Sequence, residues 1–140
     1  MRYLLDTGVI AEVTKQQPSR NVLRWLDTQD EMALFLSVIT FGELQKGISK
    51  LPPSRKRRQP QEWLEHDLPR RFIGRILGVD REVAVRWGAI AGVAENQGKK
   101  IPVLDGLLAA TALVSGLTLV TRNTPHMQQM GVPLFDPWEA

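Results

Sequence analysis

The sequence predicts an α/β fold in which a mostly parallel sheet is covered by helices on both faces. Short segments that are apolar without alternation, such as residues 2–5 and 32–38, are typical of strands buried on two sides. Segments with helical spacing of apolar residues separate them, which is the pattern of an α/β domain. The 140 residues, with 43% hydrophobic and 24% charged side chains, suit one globular domain over residues 1–140.

The first elements are a strand over residues 2–5 and a short helix over residues 9–15. Ser19 can cap a second helix over residues 21–28, because its hydroxyl can accept from a free amide of the first turn. Residues 32–38 form the second strand.

A helix follows from Thr40, because one face carries apolar residues spaced i, i+3, i+7 and i+10. These are Phe41, Leu44, Ile48 and Leu51. Pro52 and Pro53 end that helix. The run Arg55, Lys56, Arg57, Arg58 is placed in a loop, before a helical stretch over residues 61–76.

In the last part of the chain, residues 76–79 form a short strand and Asp80 caps a long helix to Gln97. Asp105 begins an alanine-rich helix that ends at Ser115. Residues 117–121 and 132–135 are the last two strands.

The composition limits which partners and which kinds of metal site the protein can have. The net charge of +3 mildly favours an acidic or phosphate-rich partner. The absence of cysteine excludes disulfides and thiolate zinc sites, and fits a cytoplasmic location. The two histidines are too few for a histidine-based centre, so any metal is a hard, oxygen-ligated one. The uncharged stretch over residues 106–121 is shorter than the roughly 20 residues of a spanning helix, which predicts a soluble protein with no membrane partner.

Four polar residues follow predicted strands or begin helices next to them: Asp6, Glu43, Asp105 and Asn123. Ligands of parallel sheets bind beyond the carboxyl ends of the strands, so these side chains can converge at one edge. Two unit charges about 4 Å apart repel by about 4 kcal/mol at an effective dielectric near 20. Protonation, a basic side chain or a cation must offset that repulsion, and Mg²⁺ or Mn²⁺ fits best.

Each acid also has a purely structural interpretation. Asp105 is a good N-cap, and Asp6 in Asp-Thr-Gly is a plausible turn residue. Glu43 lies three residues after Thr40, as in a capping box. Only the combination of the three acids with the strand ends favours a site.

The segments LLDTGVI, SVITFGEL, DGLLAATA and VTRN, in this order and spacing, resemble the PIN domain. The closest resemblance is to the VapC and FitB-like toxins of type II toxin–antitoxin modules. It implies a three-layer α/β/α fold and an endoribonuclease that uses Mg²⁺ or Mn²⁺. It also implies a homodimer, with possible higher-order assembly on a cognate antitoxin protein.

The resemblance places the family's three invariant acids, as metal ligands and catalytic residues, at Asp6, Glu43 and Asp105. The family's fourth acid falls where this chain has Asn123 and His126, and neither is acidic. Asn123 can still hydrogen-bond a metal-bound water, and is kept as the fourth catalytic residue. His126 is a weaker candidate for contact with substrate or proton transfer.

Four residues are candidates for binding the RNA substrate: Thr7, Arg122, Arg57 and Arg58. Arg57 and Arg58, which belong to the basic run, would contact phosphates, or else lie in a solvated loop. Because the fourth acid is missing, a PIN domain that binds RNA or an antitoxin without cleavage is an alternative. A receiver-like signalling module is disfavoured, since Asp6 has no adjacent acid and Arg122 no adjacent lysine.

Overall fold

Five strands form a single parallel sheet in the order β3-β2-β1-β4-β5. The structure, a computed structural model, describes all of residues 1–140. The strands are β1 (Tyr3–Leu5), β2 (Leu34–Ser37), β3 (Ile76–Leu77), β4 (Thr118–Val120) and β5 (Leu134–Phe135). All four pairings are parallel, so the carboxyl ends of the strands lie at one edge. The predicted parallel sheet is confirmed.

Helices connect the strands. They are α1 (Thr7–Val13), α2 (Arg20–Thr28), α3 (Val38–Ser49), α4 (Arg55–Glu62), α5 (Leu68–Arg71), α6 (Arg81–Asn96), α7 (Val103–Ser115) and α8 (Thr124–Met127). The predicted caps of α2 and α6 are confirmed, because Ser19 Oγ accepts from the Val22 amide and Asp80 Oδ1 from the Val83 amide. No helix combines the length and apolarity needed to span a membrane.

Alternate residues of the central strands point to opposite sides of the sheet, and each side has its own core. Leu5 and Val120 pack with Trp25 and neighbours on one side. Leu4 and Leu119 pack on the other side against α7 and its surroundings. This two-sided burial explains why the strands read as continuous apolar runs, and it confirms the three-layer α/β/α architecture.

Close contact between α6 and α7 depends on Gly106. A Cβ atom on Gly106 would lie 2.8 Å from Cδ1 and 3.0 Å from Nε1 of Trp87. Trp87 is half-buried, and its indole N–H has no hydrogen-bond partner. The position of α7, which carries Asp105, is therefore set partly by the absence of a side chain at Gly106.

The basic run was wrongly placed in a loop. Arg55 to Arg58 form the first turn of α4, because arginine and lysine are good helix formers and the preceding prolines cannot continue α3. The predicted long helix over residues 61–76 is also interrupted. A π-helical turn, Trp63–Asp67, follows α4, and the short α5 ends before Gly74, whose φ of 78° is left-handed.

Candidate active site

The site begins where β1 and β4 end side by side. The amide of Asp6 donates to the carbonyl of Val120 at 2.9 Å, which continues the pairing of the two strands. Thr121, fully buried, donates from Oγ1 to Asp6 Oδ2 at 2.7 Å. Asp6 precedes α1 but its side chain makes no capping bond there. The turn interpretation of Asp6 is therefore insufficient, since Thr121, which directly follows the neighbouring strand β4, holds its carboxylate.

Glu43 is held by a residue of a different element. Thr7 Oγ1 donates to Glu43 Oε1 at 2.6 Å, and the hydroxyls of Thr7 and Thr40 lie 3.0 Å apart. The capping-box interpretation was wrong, because α3 begins at Val38 and its cap is Ser37, which accepts from the Ile39 amide. Glu43 therefore lies beyond the first turn, and the hydroxyl of Thr7 fixes its carboxylate.

Asp105 is free of any capping role. Its helix, α7, begins at Val103 and not at Asp105 as predicted, with Pro102 in the N-cap position. Asp105 lies in the first turn, where the helix dipole favours a negative charge. Its Oδ2 lies 3.3 Å from Nε2 of His126, and both side chains are about one-third exposed. The histidine, at one of the positions of the missing fourth acid, thus lies next to the third carboxylate.

The three acids influence one another electrostatically. Burial raises the pKa of Asp6, and the charges of Glu43 and Asp105 raise it further. Hydrogen bonds from Thr121 and from the Thr7 amide lower it, each by less than burial raises it, and the net shift of the pKa is upward. No lysine or arginine forms an ion pair with any of the three acids. Neither lysine nor arginine therefore neutralises their negative charge, and the side chain nearest to one of them is His126 beside Asp105.

This donor set fits a hard divalent cation by its chemistry. Mg²⁺ and Mn²⁺ prefer carboxylate oxygens and keep several waters, so they do not need an enclosing protein cage. No three Asp, Glu or His side chains already lie close enough together to hold one ion. Each carboxylate is hydrogen-bonded or paired separately, to Thr121, Thr7 or His126. A bound ion would therefore be held partly through its own waters, with Thr121 and Thr7 orienting the carboxylates of Asp6 and Glu43.

Asn123 and Arg122 lie beside Asp6. Both line a cavity of about 270 Å³ that also reaches Asp6 and Thr121. The backbone amide of Asn123 donates to Thr121 Oγ1 at 3.1 Å, and its side chain is exposed. The guanidinium of Arg122 lies 5.2 Å from the ring centroid of Trp138. A much larger cavity, of about 690 Å³, has nine hydrophobic residues among the fifteen that line it and contains none of the three acids.

Arg57 and Arg58 of the basic run are not part of this cluster. Arg57 is half-buried and Arg58 exposed on α4. Paired hydrogen bonds between Gln45 and Gln61 join this region to α3. Neither arginine forms a hydrogen bond or ion pair with a site residue. Their role in substrate binding stays a prediction.

Sequence reasoning missed three residues near Asp6. Glu12, Lys15 and Trp138 line the same cavity. Glu12 and Lys15 stand at helical i, i+3 spacing, which is a weak sign of a pair. Nothing in the sequence relates them to Trp138, which is half-buried near the C-terminus.

With this geometry in place, comparison with known proteins identifies the family. The model of the PIN domain matches residues 3–130. The chain belongs to the PIN-domain family. The toxin FitB of Neisseria gonorrhoeae is 39% identical over 135 residues, which cover 96% of this chain and 97% of that protein. The VapC ribonuclease Y4jK of Sinorhizobium fredii is 36% identical, with 97% of each chain covered.

A solved structure agrees with the PIN-domain assignment. The crystal structure of FitAcB from Neisseria gonorrhoeae contains a chain with a TM-score of 0.92 and 38% identity, and 99% of each chain is covered. The resemblance inferred from four short segments is therefore confirmed over nearly the whole chain.

Proposed function

We propose that this PIN-domain protein is a metal-dependent endoribonuclease and the toxin of a type II toxin–antitoxin module. The observation that carries the proposal is the placement of Asp6, Glu43 and Asp105 at the carboxyl edge of a parallel sheet, near enough for the other two charges to raise the pKa of Asp6, with no lysine or arginine paired to them. Similar proteins named as a VapC ribonuclease and as the toxin FitB support it.

The three carboxylates would hold Mg²⁺ or Mn²⁺. When bound, such an ion lowers the pKa of a water molecule and neutralises charge that develops on the phosphodiester during attack. Thr121 and Thr7 keep the carboxylates of Asp6 and Glu43 in place, since each hydroxyl donates to one of them. Arg122, exposed beside Asp6, supplies a positive charge for the substrate phosphate.

We expect a cognate antitoxin protein as the physiological partner. A structure of FitAB bound to the IR36 DNA fragment contains a similar chain, with a TM-score of 0.90 and 37% identity. Co-expression with the upstream or downstream neighbouring gene, followed by affinity purification, tests this. A stable complex that inhibits RNA cleavage is the expected result.

We also expect two copies to pair. Helix α6 exposes Val85 and Val93, two turns apart, at 67% and 59%. Light scattering should give the mass of a dimer, and Val85→Glu together with Val93→Glu should give the mass of a monomer. A wild-type monomer, at concentrations where the pure protein cleaves RNA, would refute the dimer.

The enzymatic proposal is tested by cleavage of a short labelled RNA with Mg²⁺, with Mn²⁺ and with chelator. Protein freed of antitoxin should cleave only with metal, and Asp6→Asn or Asp105→Asn should abolish cleavage while the circular dichroism spectrum is unchanged. Ser54→Ala, on a side chain without a cap bond, is a control that should keep full activity. Equal cleavage in chelator would refute the metal mechanism.

A second candidate function is binding of RNA or antitoxin without cleavage. It is favoured by Asn123 and His126 at the positions of the fourth acid. Metal titration by calorimetry, run beside the cleavage assay, separates the two. A protein that binds RNA and Mg²⁺ but shows no turnover would support the second function.

A further inference from the structure

We propose that the cavity beside Asp6 binds the backbone phosphate of the nucleotide next to the scissile bond, with Lys15 and Arg122 as its cations. This proposal rests on the proposed ribonuclease function and names a subsite of it. The cavity, of about 270 Å³, is lined by residues from Asp6 along α1 to Lys15, by the residues that follow β4 and by Trp138. Lys15 and Arg122 both line it together with Asp6.

The side chains at the floor of the cavity are small, which leaves room for a phosphate of the RNA backbone. Gly8 and Ala11 line it from consecutive turns of α1. A Cβ atom at Gly8 would meet no atom within 4 Å, so open space lies above this glycine. Asp6 lines the cavity and is also one of the three carboxylates. A phosphate bound in the cavity would therefore lie next to a group bound at the carboxylates.

A buried carboxylate organises one wall of the cavity. Glu12, 6% exposed, accepts from the Ser19 amide at 2.9 Å and from Lys15 Nζ at 3.0 Å. These bonds, and one from the side chain of Trp138, lower the pKa of Glu12. Its charge is therefore compensated within the protein, while Lys15 and the indole of Trp138 are held in place. We assign Glu12 the role of a positioning residue.

The cavity also has a restrained arginine in its lining. Trp138 is fixed at its backbone, because its carbonyl accepts from Asn21 Nδ2 at 2.7 Å and its amide donates to Asp136 at 2.8 Å. Arg122 lies over this ring at 5.2 Å, a distance at which the cation–π attraction acts. Arg122 forms no ion pair with a carboxylate. Its N–H groups are thus available for bidentate contact with a phosphate.

The test measures binding of a fluorescein-labelled, single-stranded 12-nucleotide RNA by anisotropy, at several salt concentrations in Mg²⁺. The parent protein carries Asp105→Asn, so that the RNA is not cut. Lys15→Met and Arg122→Met should each weaken binding about three- to tenfold and reduce the slope of log K against log salt by about 0.7. Arg86→Met, an equal loss of charge at an exposed position of α6, is the matched control and should change neither.

The outcomes separate the subsite from the proposed function. If the parent binds RNA and both variants keep its affinity and salt slope, the subsite is wrong while the ribonuclease function stands. An equal loss of RNA affinity in Arg86→Met would also overturn the subsite, because the loss would then follow from the lower net charge of the protein. Variants that lose antitoxin binding but retain RNA binding would assign the cavity to the protein partner instead. If the Asp105→Asn parent does not bind RNA and the wild-type protein does not cleave it, the proposed function is refuted.

Whether RNA binding becomes weaker or stronger in a Glu12 variant tests the positioning role of this residue. Glu12→Gln removes a negative charge near the RNA, so electrostatics alone would strengthen binding. A positioning role requires weaker binding, because Lys15 and Trp138 lose their anchor. Trp138→Phe removes the indole N–H but keeps a ring under Arg122, and should weaken binding less than Trp138→Ala. Tighter RNA binding by a folded Glu12→Gln protein would overturn the role of Glu12.

Discussion

Replacing Gly106 by alanine tests whether the contact between α6 and α7 sets the position of Asp105. The new Cβ would lie 2.8 Å from Trp87 Cδ1, about 0.6 Å inside an ordinary contact of 3.4 Å. Overpacking of this kind costs about 1–3 kcal/mol. The higher helix propensity of alanine returns about 0.5–1 kcal/mol. The free energy of unfolding should therefore fall by about 0.5–2 kcal/mol.

Gly42 supplies a matched control. It lies within α3 next to Glu43, as Gly106 lies within α7 next to Asp105, but its Cβ would meet no atom within 4 Å. Gly42→Ala should therefore raise the free energy of unfolding by about 0.5–1 kcal/mol. Urea titration followed by far-ultraviolet circular dichroism measures both changes. A Gly106→Ala protein as stable as Gly42→Ala would refute the steric account.

Two further measurements connect this stability change to the site. Trp87→Leu in the Gly106→Ala background should recover part of the loss, and a double-mutant cycle gives the coupling between the two positions. Because α7 must move to admit the methyl group, Asp105 moves with it. RNA cleavage by folded Gly106→Ala protein should fall more than tenfold, whereas Gly42→Ala should retain most of its activity.

Three other predictions concern the acids and the threonine that holds one of them. The raised pKa of Asp6 means that the folded, metal-free protein binds more protons than the unfolded chain from about pH 4 upward, so its stability falls as pH rises through this window. Asp6→Asn should remove that fall in melts recorded in chelator; parallel pH profiles would contradict it. Thr7→Val removes the bond to Glu43, and should lower the free energy of unfolding by about 1–2 kcal/mol and weaken Mg²⁺ binding in calorimetry. Unchanged Mg²⁺ affinity would show that Thr7 does not position Glu43. Asn123→Asp should tighten Mn²⁺ binding, and unaltered affinity would place Asn123 away from the ion.

The parallel sheet and the three acids could be predicted because both depend on local pattern. Runs such as Leu4-Leu5 and Leu119-Val120 have no polar alternation, which is what burial on both sides produces. Asp6 follows its strand directly. The parallel pairing of β1 with β4 then places Asp6 at the same edge of the sheet as Thr121.

The helix starts and the cavity could not be predicted in the same way. Thr40 and Asp105 are good caps, but the helices begin earlier, at Val38 and Val103, and the two side chains serve other contacts. Local propensity cannot decide between neighbouring caps when tertiary contacts use one of them. The cluster of Glu12 with Trp138 joins residues 126 positions apart, and only the folded chain shows it.

The hydrogen bond from the Asp6 amide to Val120 has a consequence for how this protein loses activity. It extends the pairing of β1 with β4 as far as the site, and β1 is the central strand, paired on both sides. Amides in such a position exchange with solvent only when the whole domain opens. The Asp6 amide should therefore be among the slowest to exchange deuterium. Heating should abolish RNA cleavage at the same temperature at which the domain unfolds, and not through earlier, local melting of the site.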